Sequence, residues 1–525
     1  DLPKAGRIYY VRTNGSDNNN GLSWGTAFAT VRKAVETAND GIIINGEKPQ
    51  VWVAAGTYAQ SPKTGSDNCF EILDGVNVYG AFPKTGNPGM DDRHPFISDY
   101  VYNNYAGTYS PDDYETILTP SSTSGNRRVL GQEDEYNPVR FGGSEPSYRY
   151  EQVGEGEGNY IRTADGVFTY GATWDGFTLY NGYLDSDDLQ YINSSYARDG
   201  GAGARIFTGV TLSNCIVTGN KNDASKTGNS IYATQTRGGG VYCDEGTLVN
   251  CYIINNTLGK SQQYTSYGGG CYMFSGTAYN CVISENKTNG YHTDGAGIFI
   301  ENAEFYNNTI VKNTSNGTVR GNGGICIWTS GPSSQLTIYN CIVLGNSALT
   351  GNMIGSGDIA VSSNGGYINC NYSITSNVTN ASRNNGAITY NNSVVKSTSI
   401  FTDYNNGNYR LGSMDGVNMG IDEPVVNGKT INLADYTDMD FTDRIKDCRV
   451  DAGAYERNNA DNVAPENQNG RYVYYVTWNG AESMVANSLA NAACAEKLQI
   501  VLDAAGEQKK NNPSAEVVVK VAGYE

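Results

Sequence analysis

Leu212-Ser-Asn-Cys-Ile-Val-Thr-Gly-Asn220 returns four times without a gap, as Leu248-Val-Asn-Cys-Tyr-Ile-Ile-Asn-Asn256, Ala278-Tyr-Asn-Cys-Val-Ile-Ser-Glu-Asn286, Phe305-Tyr-Asn-Asn-Thr-Ile-Val-Lys-Asn313 and Ile338-Tyr-Asn-Cys-Ile-Val-Leu-Gly-Asn346. Tyr367-Ile-Asn-Cys-Asn-Tyr372 opens a sixth copy and then loses register. The first Asn of the copies stands at 214, 250, 280, 307, 340 and 369, giving spacings of 36, 30, 27, 33 and 29 residues. A heptad or helical-hairpin repeat keeps its period, whereas a coil with a fixed core and variable loops does not.

Each copy follows a glycine cluster beside an apolar strand: Gly200-Gly201, Gly238-Gly-Gly-Val241, Gly268-Gly-Gly270, Gly295-Ala-Gly-Ile298 and Gly323-Gly-Ile325. One lap then reads as a glycine-rich strand, a second strand ending at the first Asn, and a third ending at the second Asn. Laps superposed about 4.8 Å apart make three parallel sheets around a narrow apolar interior. The fold class expected is all-β, a right-handed single-stranded parallel β-helix.

The columns have physical reasons. Asn tolerates the left-handed backbone of a sharp corner, and its amide can bond to the same amide one lap away, so the recurring first Asn marks an asparagine ladder. Residues 212, 248, 278, 305, 338 and 367 point inward before that corner, and Val217, Ile253, Ile283, Ile310 and Val343 after it. Cys215, Cys251, Cys281, Cys341 and Cys370 form a thiol column broken by Asn308, and buried thiols pack as small hydrophobes. No CxxC pair or Cys/His cluster has zinc spacing among the 11 cysteines.

Composition agrees with a strand stack. The 525 residues include 64 Gly and 39 Tyr, with only 17% charged residues, which suits short strands joined by tight turns. A net charge of −18 repels polyphosphates and the basic residues are scattered, so nucleic acid is not expected as a partner. No run of about 20 apolar residues would span a bilayer. The opening Asp1-Leu2-Pro3-Lys4 reads as a mature or trimmed start.

Residues 1–58 are expected to be an N-terminal cap and first coil. Phe28, Val31, Ala34, Val35 and Ala38 lie at helical spacing there, and a helix at this place would lid the open core. The β-helix is expected over 59–457, with a long insertion near 91–162, then a linker at 458–471. Residues 472–525 repeat the opening order: Tyr474-Tyr-Val-Thr-Trp-Asn-Gly480, Leu498 to Ala505 and Val517 to Ala522 mirror Tyr9 to Gly15, Val31 to Ala38 and Val51 to Ala55. This small α/β segment resembles the cap of a second β-helix, so the chain is expected to be part of a longer one.

Tyr10-Val-x-x-Asn-Gly-Ser-Asp17, Gly21-Leu-Ser-Trp-Gly-Thr-Ala-Phe28, Val53-Ala-Ala-Gly-Thr-Tyr58, Trp174-Asp-Gly-Phe-Thr-Leu179, Asn408-Tyr-Arg-Leu411 and Asp451-Ala-Gly-Ala-Tyr-Glu456 resemble motifs of the pectate-lyase-like β-helix superfamily of exported bacterial proteins. The coils are similar to the glycine-pair and asparagine repeats of polymorphic outer-membrane proteins and related adhesins. The resemblance covers about residues 8–456. It implies a secreted or bacterial cell-surface protein, with a polysaccharide or a host or cell-surface glycoprotein as partner.

Catalytic chemistry is not written plainly. The polygalacturonase type of this fold uses clustered carboxylates and a histidine, as Asn-Thr-Asp, Asp-Asp and Gly-His-Gly; only the Asp187-Asp188 pair is present. His94 and His292 read as loop residues. A β-eliminating lyase needs a Lys or Arg base and a cation to acidify the α-proton. Arg198, Arg205, Lys221, Arg237, Lys260 and Lys287 are the candidates, with Asp199, Asp244 and Asp294 as calcium ligands, but they do not recur at matched positions. Asp17-Asn-Asn-Asn-Gly21 starts like a calcium loop and lacks the twelfth-position Glu. The insertion carries Tyr102, Tyr109, Tyr136, Tyr148 and Tyr150, rings that can stack on sugars or on a partner protein. The expected function is a non-catalytic glycan-binding or adhesin-like module; the alternative is a calcium-assisted lyase or a glycoside hydrolase acting on an acidic polysaccharide.

Overall fold

The computed structural model describes residues 6–522 apart from 40–47, 61–68, 74, 96–110, 122–126, 132–170, 185–199, 224–234, 260–264, 329–334, 349–356, 362–366, 377–386, 414, 427, 446–448, 458–464, 477–485, 487–492 and 494–496. The repeated segments climb as laps of a right-handed parallel β-helix, the hand that strand–crossover–strand links nearly always take. One lap runs through Val241–Cys243, Gly246–Val249, Tyr252–Ile254, Thr257–Leu258 and Thr265–Tyr267, and the next begins at Cys271–Met273. Among the described residues, stacked laps make four sheets. Sheet I has 11 strands, from Ile8–Val11 to Ala387–Asn391, and sheet II has 10, from Gly56–Gln60 to Val394–Val395. Sheet III has 8, from Phe70–Glu71 to Ile359–Val361, and sheet IV has 8, Thr257–Leu258 and Thr265–Tyr267 among them.

Sheet IV is an addition to the three sheets expected. It forms from stretches between the second Asn and the glycine cluster that read as loops. Its inward residues include Thr236, Ser266, Thr288, Thr293 and Ser315 beside Leu184, Asn222 and Leu258, all buried, with the hydroxyls of Thr236 and Ser266 3.1 Å apart. Hydroxyl side chains give no apolar alternation, so the period-2 signal was absent although the pairing is regular.

The two interior columns stand as expected. Leu212, Leu248, Ala278, Phe305 and Ile338 are register partners in sheet I, and Val217, Ile253, Ile283, Ile310 and Val343 in sheet II, all fully buried. The sixth copy differs. Cys370, not Tyr367, lies over Ile338, while Tyr367 pairs with Gln335 and is exposed. Tyr372 takes the left-handed corner at φ 50°, and Ser373 occupies the thiol position, its hydroxyl accepting from Cys341 N at 3.0 Å. The slip is three residues, an odd number that exchanges the two faces: Ile368 and Cys370 turn inward and Tyr367 outward, against the register that the repeated Asn-Cys pair suggests. Asn369 therefore leaves the corner column, and Cys370 leaves the thiol column.

The first Asn residues 214, 250, 280, 307 and 340 do stand in single file, each with positive φ. Their amides, however, mostly bond sideways. Asn280 Nδ2 donates to Thr437 O at 2.5 Å, Asn307 accepts from Arg444 Nε at 3.0 Å, and Asn340 both donates to and accepts from the Ile421 backbone. The continuous ladder lies at the second Asn instead. Asn220, Asn256, Asn286 and Asn313 each donate to the next amide oxygen at 2.9–3.0 Å, and Asn346 ends the row on Asp358 Oδ1 at 3.0 Å. Each oxygen also accepts the backbone N–H of the preceding Asn.

This ladder explains the glycine clusters. A Cβ on Gly240 would lie 2.8 Å from Asn256 Nδ2, on Gly270 2.6 Å from Asn286 Nδ2, and on Gly297 2.9 Å from Asn313 Nδ2. The amide occupies the space a side chain would need. None of these three glycines has positive φ, so the requirement is close approach and not backbone conformation.

At the N-terminal end, Val31–Asn39 is the capping helix. Its Val31, Ala34, Val35 and Ala38 share one core with Val51, Val53 and the coil interior. Asp17 accepts from Ala29 N, Thr30 N and the Thr30 hydroxyl at 2.8–3.0 Å, so the Asx-rich turn is tied to the helix start. Residues 398–456 leave the stack and fold back as a strap over its flank. Ile400, Tyr409, Leu411, Met439 and Ala452 cover the outer face of sheet II, and Val426, Leu433 and Val450 cover Tyr306 of sheet I. The strap is fastened by the fully buried Arg444, whose Nε meets Glu456 at 3.2 Å. Burial and Asp451 push the Glu456 carboxyl well above its usual range.

Farther on, Arg471–Val476 runs parallel to Glu516–Val521 with helix Leu498–Asn511 between them. The opening unit has the same order, Ile8–Val11 parallel to Gln50–Ala54 around its helix. Even the connecting bridges correspond, Val11 with Phe28 and Val476 with Ala493.

The glycine and asparagine are one steric unit, which a mutant cycle measures. Gly270→Ala and Asn286→Ala are each expected to destabilise the protein by about 1–3 kcal/mol in denaturant melts, the first by overpacking and the second by orphaning buried partners. The double variant should lose less than the sum, because removing the amide frees the space that the methyl needs.

Candidate functional site

The strap covers the outer faces of sheets I and II, which directs attention to the corner between sheets III and I. Strands of sheet III are short and alternate strictly, as in Val241 inward, Tyr242 outward and Cys243 inward. The next residue faces outward at the corner. Backbone bonds fix what stacks there: Asp244 N donates to Ile206 O, Phe274 N to Cys243 O, Glu301 N to Met273 O and Trp328 N to Ile300 O, at 2.9–3.0 Å. The column over five laps is therefore Phe207, Asp244, Phe274, Glu301 and Trp328. Aromatic and carboxylate alternate without a break.

Lap spacing places successive members roughly 4.8 Å apart and like members roughly 9.6 Å apart along the axis. Phe207 is covered, whereas Phe274 and Trp328 are each 44% exposed. Two large apolar rings thus stand in water two laps apart, which singles out this corner as a surface for a ligand. Beside the column stand Glu245, at the left-handed corner before strand Gly246–Val249, and Glu304 of sheet I. The hydroxyl of Thr208 donates to Glu245 at 2.6 Å and that of Thr277 to Glu304 at 3.3 Å.

The carboxylates are held. Ser275 Oγ donates to Asp244 Oδ1 at 2.6 Å, and the Tyr272 hydroxyl bonds Glu301. Tyr272 itself is fixed between Tyr242 and Phe299, stacked with ring centroids 5.4 and 5.5 Å away, and the Arg237 guanidinium lies 5.0 Å from its ring. Burial raises the Glu301 pKa; the Tyr272 bond and Arg237 oppose that rise and Asp244 adds to it. The ridge is thus a rigid row of ring faces and oriented oxygens, able to hold a long ligand lying along the rod.

Of the sequence candidates, only Asp244 belongs to this row. Asp294 ends strand Lys287–Asp294 in sheet IV and is a register partner of Tyr267, at the far end of the sheet III strands. Among the described residues no three His, Cys, Asp or Glu side chains converge as a metal site would require. Tyr102, Tyr109, Tyr136, Tyr148, Tyr150 and Asp199 lie outside the described residues, as do Arg198 and Lys260. Lys221 pairs with Asp223 at 2.5 Å. Arg205 sits 5.6 Å from the Phe207 ring. His292 stacks on Tyr291 in sheet IV.

At the root of the insertion a dish of about 410 Å³ is lined by Asp91, Asp92, Arg93, His94 and Tyr114. Arg93 is committed there to Asp175 and Gly80 O, so it serves the fold. The described cysteines are buried and free, and desolvation pushes the Cys243 and Cys370 thiols up to about 12, which leaves them inert.

Sequence reasoning missed Phe274, Glu301 and Trp328. The signal was present: each stands four residues after the last glycine of its cluster, at Gly270, Gly297 and Gly324, as Asp244 does after Gly240.

These features define a parallel β-helix with, among the described residues, a patterned corner between sheets III and I. No family model matches the sequence, and no curated protein matches it. Among solved structures, the crystal structure of pectate lyase Pel9A is similar with a TM-score of 0.38 and 13% identity, over 87% of this chain and 98% of that one.

Glu301 holds its proton in the folded state to higher pH than the ordinary value of 4.5. Its ionisation therefore costs folding stability as pH rises from that value through the raised one. Glu301→Gln should flatten this part of the stability–pH curve in denaturant melts, the variant gaining on the native protein above the window and not below it. Curves that run parallel would contradict the raised pKa.

Proposed function

We propose that this chain is a secreted or cell-surface module that binds glycan along the ridge between sheets III and I, without catalysis. The observation that carries the reading is the alternating column with Phe274 and Trp328 exposed. The C–H-rich face of a pyranose lies flat on an aromatic ring, and neighbouring carboxylates accept from its hydroxyls. A spacing of roughly 9.6 Å between rings is close to the advance of a disaccharide in an extended β-1,4-linked chain. The rod gives such a chain a straight track. Tyr102, Tyr109, Tyr136, Tyr148 and Tyr150 of the insertion at 91–162 remain further candidates for sugar contacts, and residues 472–525 would serve as the cap of a second stack.

The calcium-assisted lyase and the hydrolase of acidic polysaccharide gain less support, since the ridge sets carboxylates where a uronate polymer would need cations.

A glycan array probed with the intact protein is expected to give binding that Trp328→Ala and Phe274→Ala each weaken by about tenfold or more, at unchanged melting temperature. No unsaturated product should accumulate from uronic-acid polymers, with calcium or with EDTA. Ring-independent binding, or calcium-dependent product formation, would overturn the proposal.

A further inference from the structure

Resting on the glycan reading, we infer that the ridge selects a glycan carrying free amino groups, a polycationic amino-sugar chain, over its acetylated or acidic counterparts. Four carboxylates border the two exposed rings: Asp244 and Glu301 in the column, Glu245 and Glu304 beside it. The described lysines of the same laps lie across the rod. Lys221 and Lys287 are in sheet IV, in one column with Thr257 and Thr314, and Lys312 stands at the corner of sheets II and IV. Two arginines come near the ridge, and both are laid on rings of sheet III, Arg205 on Phe207 and Arg237 on Tyr272. The rod as a whole carries −18. A polyanion approaching this corner is repelled at long range and meets acceptor oxygens at contact.

An ammonium group meets the opposite situation. Aromatic faces attract cations through their quadrupole, and here each exposed ring is flanked along the axis by a carboxylate. Neutral hydroxyls would be served by either sign of charge or by amides, so the column's restriction to acids is informative. Asp244 and Glu301 are also oriented by hydroxyl donors, Ser275 and Tyr272, so neither carboxyl has to be fixed anew when a ligand arrives.

The test uses the full chain and three soluble hexamers: β-1,4-linked glucosamine, its N-acetylated form, and galacturonate. Calorimetric titration below pH 7 should show the amine form binding about tenfold or more tighter than the acetylated form, with the difference shrinking as salt is raised. Glu301→Gln combined with Glu304→Gln should bring the ratio toward one, whereas Trp328→Ala should weaken both forms together. Glutamine keeps the shape and the bond to Tyr272, and circular dichroism checks the fold. Equal or tighter binding of the acetylated hexamer, still lost in Trp328→Ala, would overturn the charge inference and leave the glycan reading standing. Failure of all three hexamers to respond to Trp328→Ala would remove both.

Discussion

The amide ladder from Asn220 to Asn346 is the constraint on which this structure depends. Each amide closes a corner, bonds to the lap above and satisfies a backbone N–H, all inside a dry interior where an unpaired group would cost about 1–3 kcal/mol. The arrangement needs a side-chain-free residue opposite, which Gly203, Gly240, Gly270 and Gly297 supply. Glycine and asparagine repeats, separate features in the sequence, are two halves of one contact. The row ends on Asp358, whose buried carboxyl is pushed up by desolvation and held by Asn346 and the Ser376 N–H. Lap height, lap phase and the position of every outward residue follow from this file of amides.

The parallel stack was legible because it is built from identity at long range: Leu212 over Leu248 over Ala278 is a pattern that any alignment of the laps displays. Three elements escaped, each for a different reason. Sheet IV is lined largely by hydroxyls, so its strands lack an apolar period. The sixth lap slips by three residues, which turns Ile368 and Cys370 inward, and the repeated Asn-Cys pair pointed to the other register. The strap over sheets I and II consists of short antiparallel pairs and 3-10 turns whose partners lie far off in sequence, 59 residues for Tyr404 and Gly345 and 81 for Asn340 and Ile421. The first Asn column was placed correctly, and its amides bond from lap to lap only in part, as Asn250 does to Asn214 at 3.3 Å, since single file alone does not say whether an amide bonds upward or sideways.

The ridge was half visible. Asp244 was legible only as a candidate calcium ligand, but its meaning depends on Phe274 and Trp328, which belong to other laps and have unlike chemistry. Searches for recurring chemistry find columns of one residue type. Here the repeat unit on the surface is two laps long while that of the core is one, so matching residues at equal positions shows dissimilarity where there is order. The strap sharpens the contrast: it packs on the outer faces of sheets I and II, while Phe274 and Trp328 at the other corner stand exposed among the described residues.

That mismatch of periods bears on how such a rod can change length. Duplicating or excising a single lap, such as the 27 residues from Asn280 to Asn307, leaves every interior neighbour of the same kind. It would nevertheless set ring against ring or acid against acid at the junction and shift everything beyond by half a step. Only even-numbered insertions preserve the outer sequence, so growth by gene-segment duplication is tolerated in pairs by the corner and one at a time by the interior.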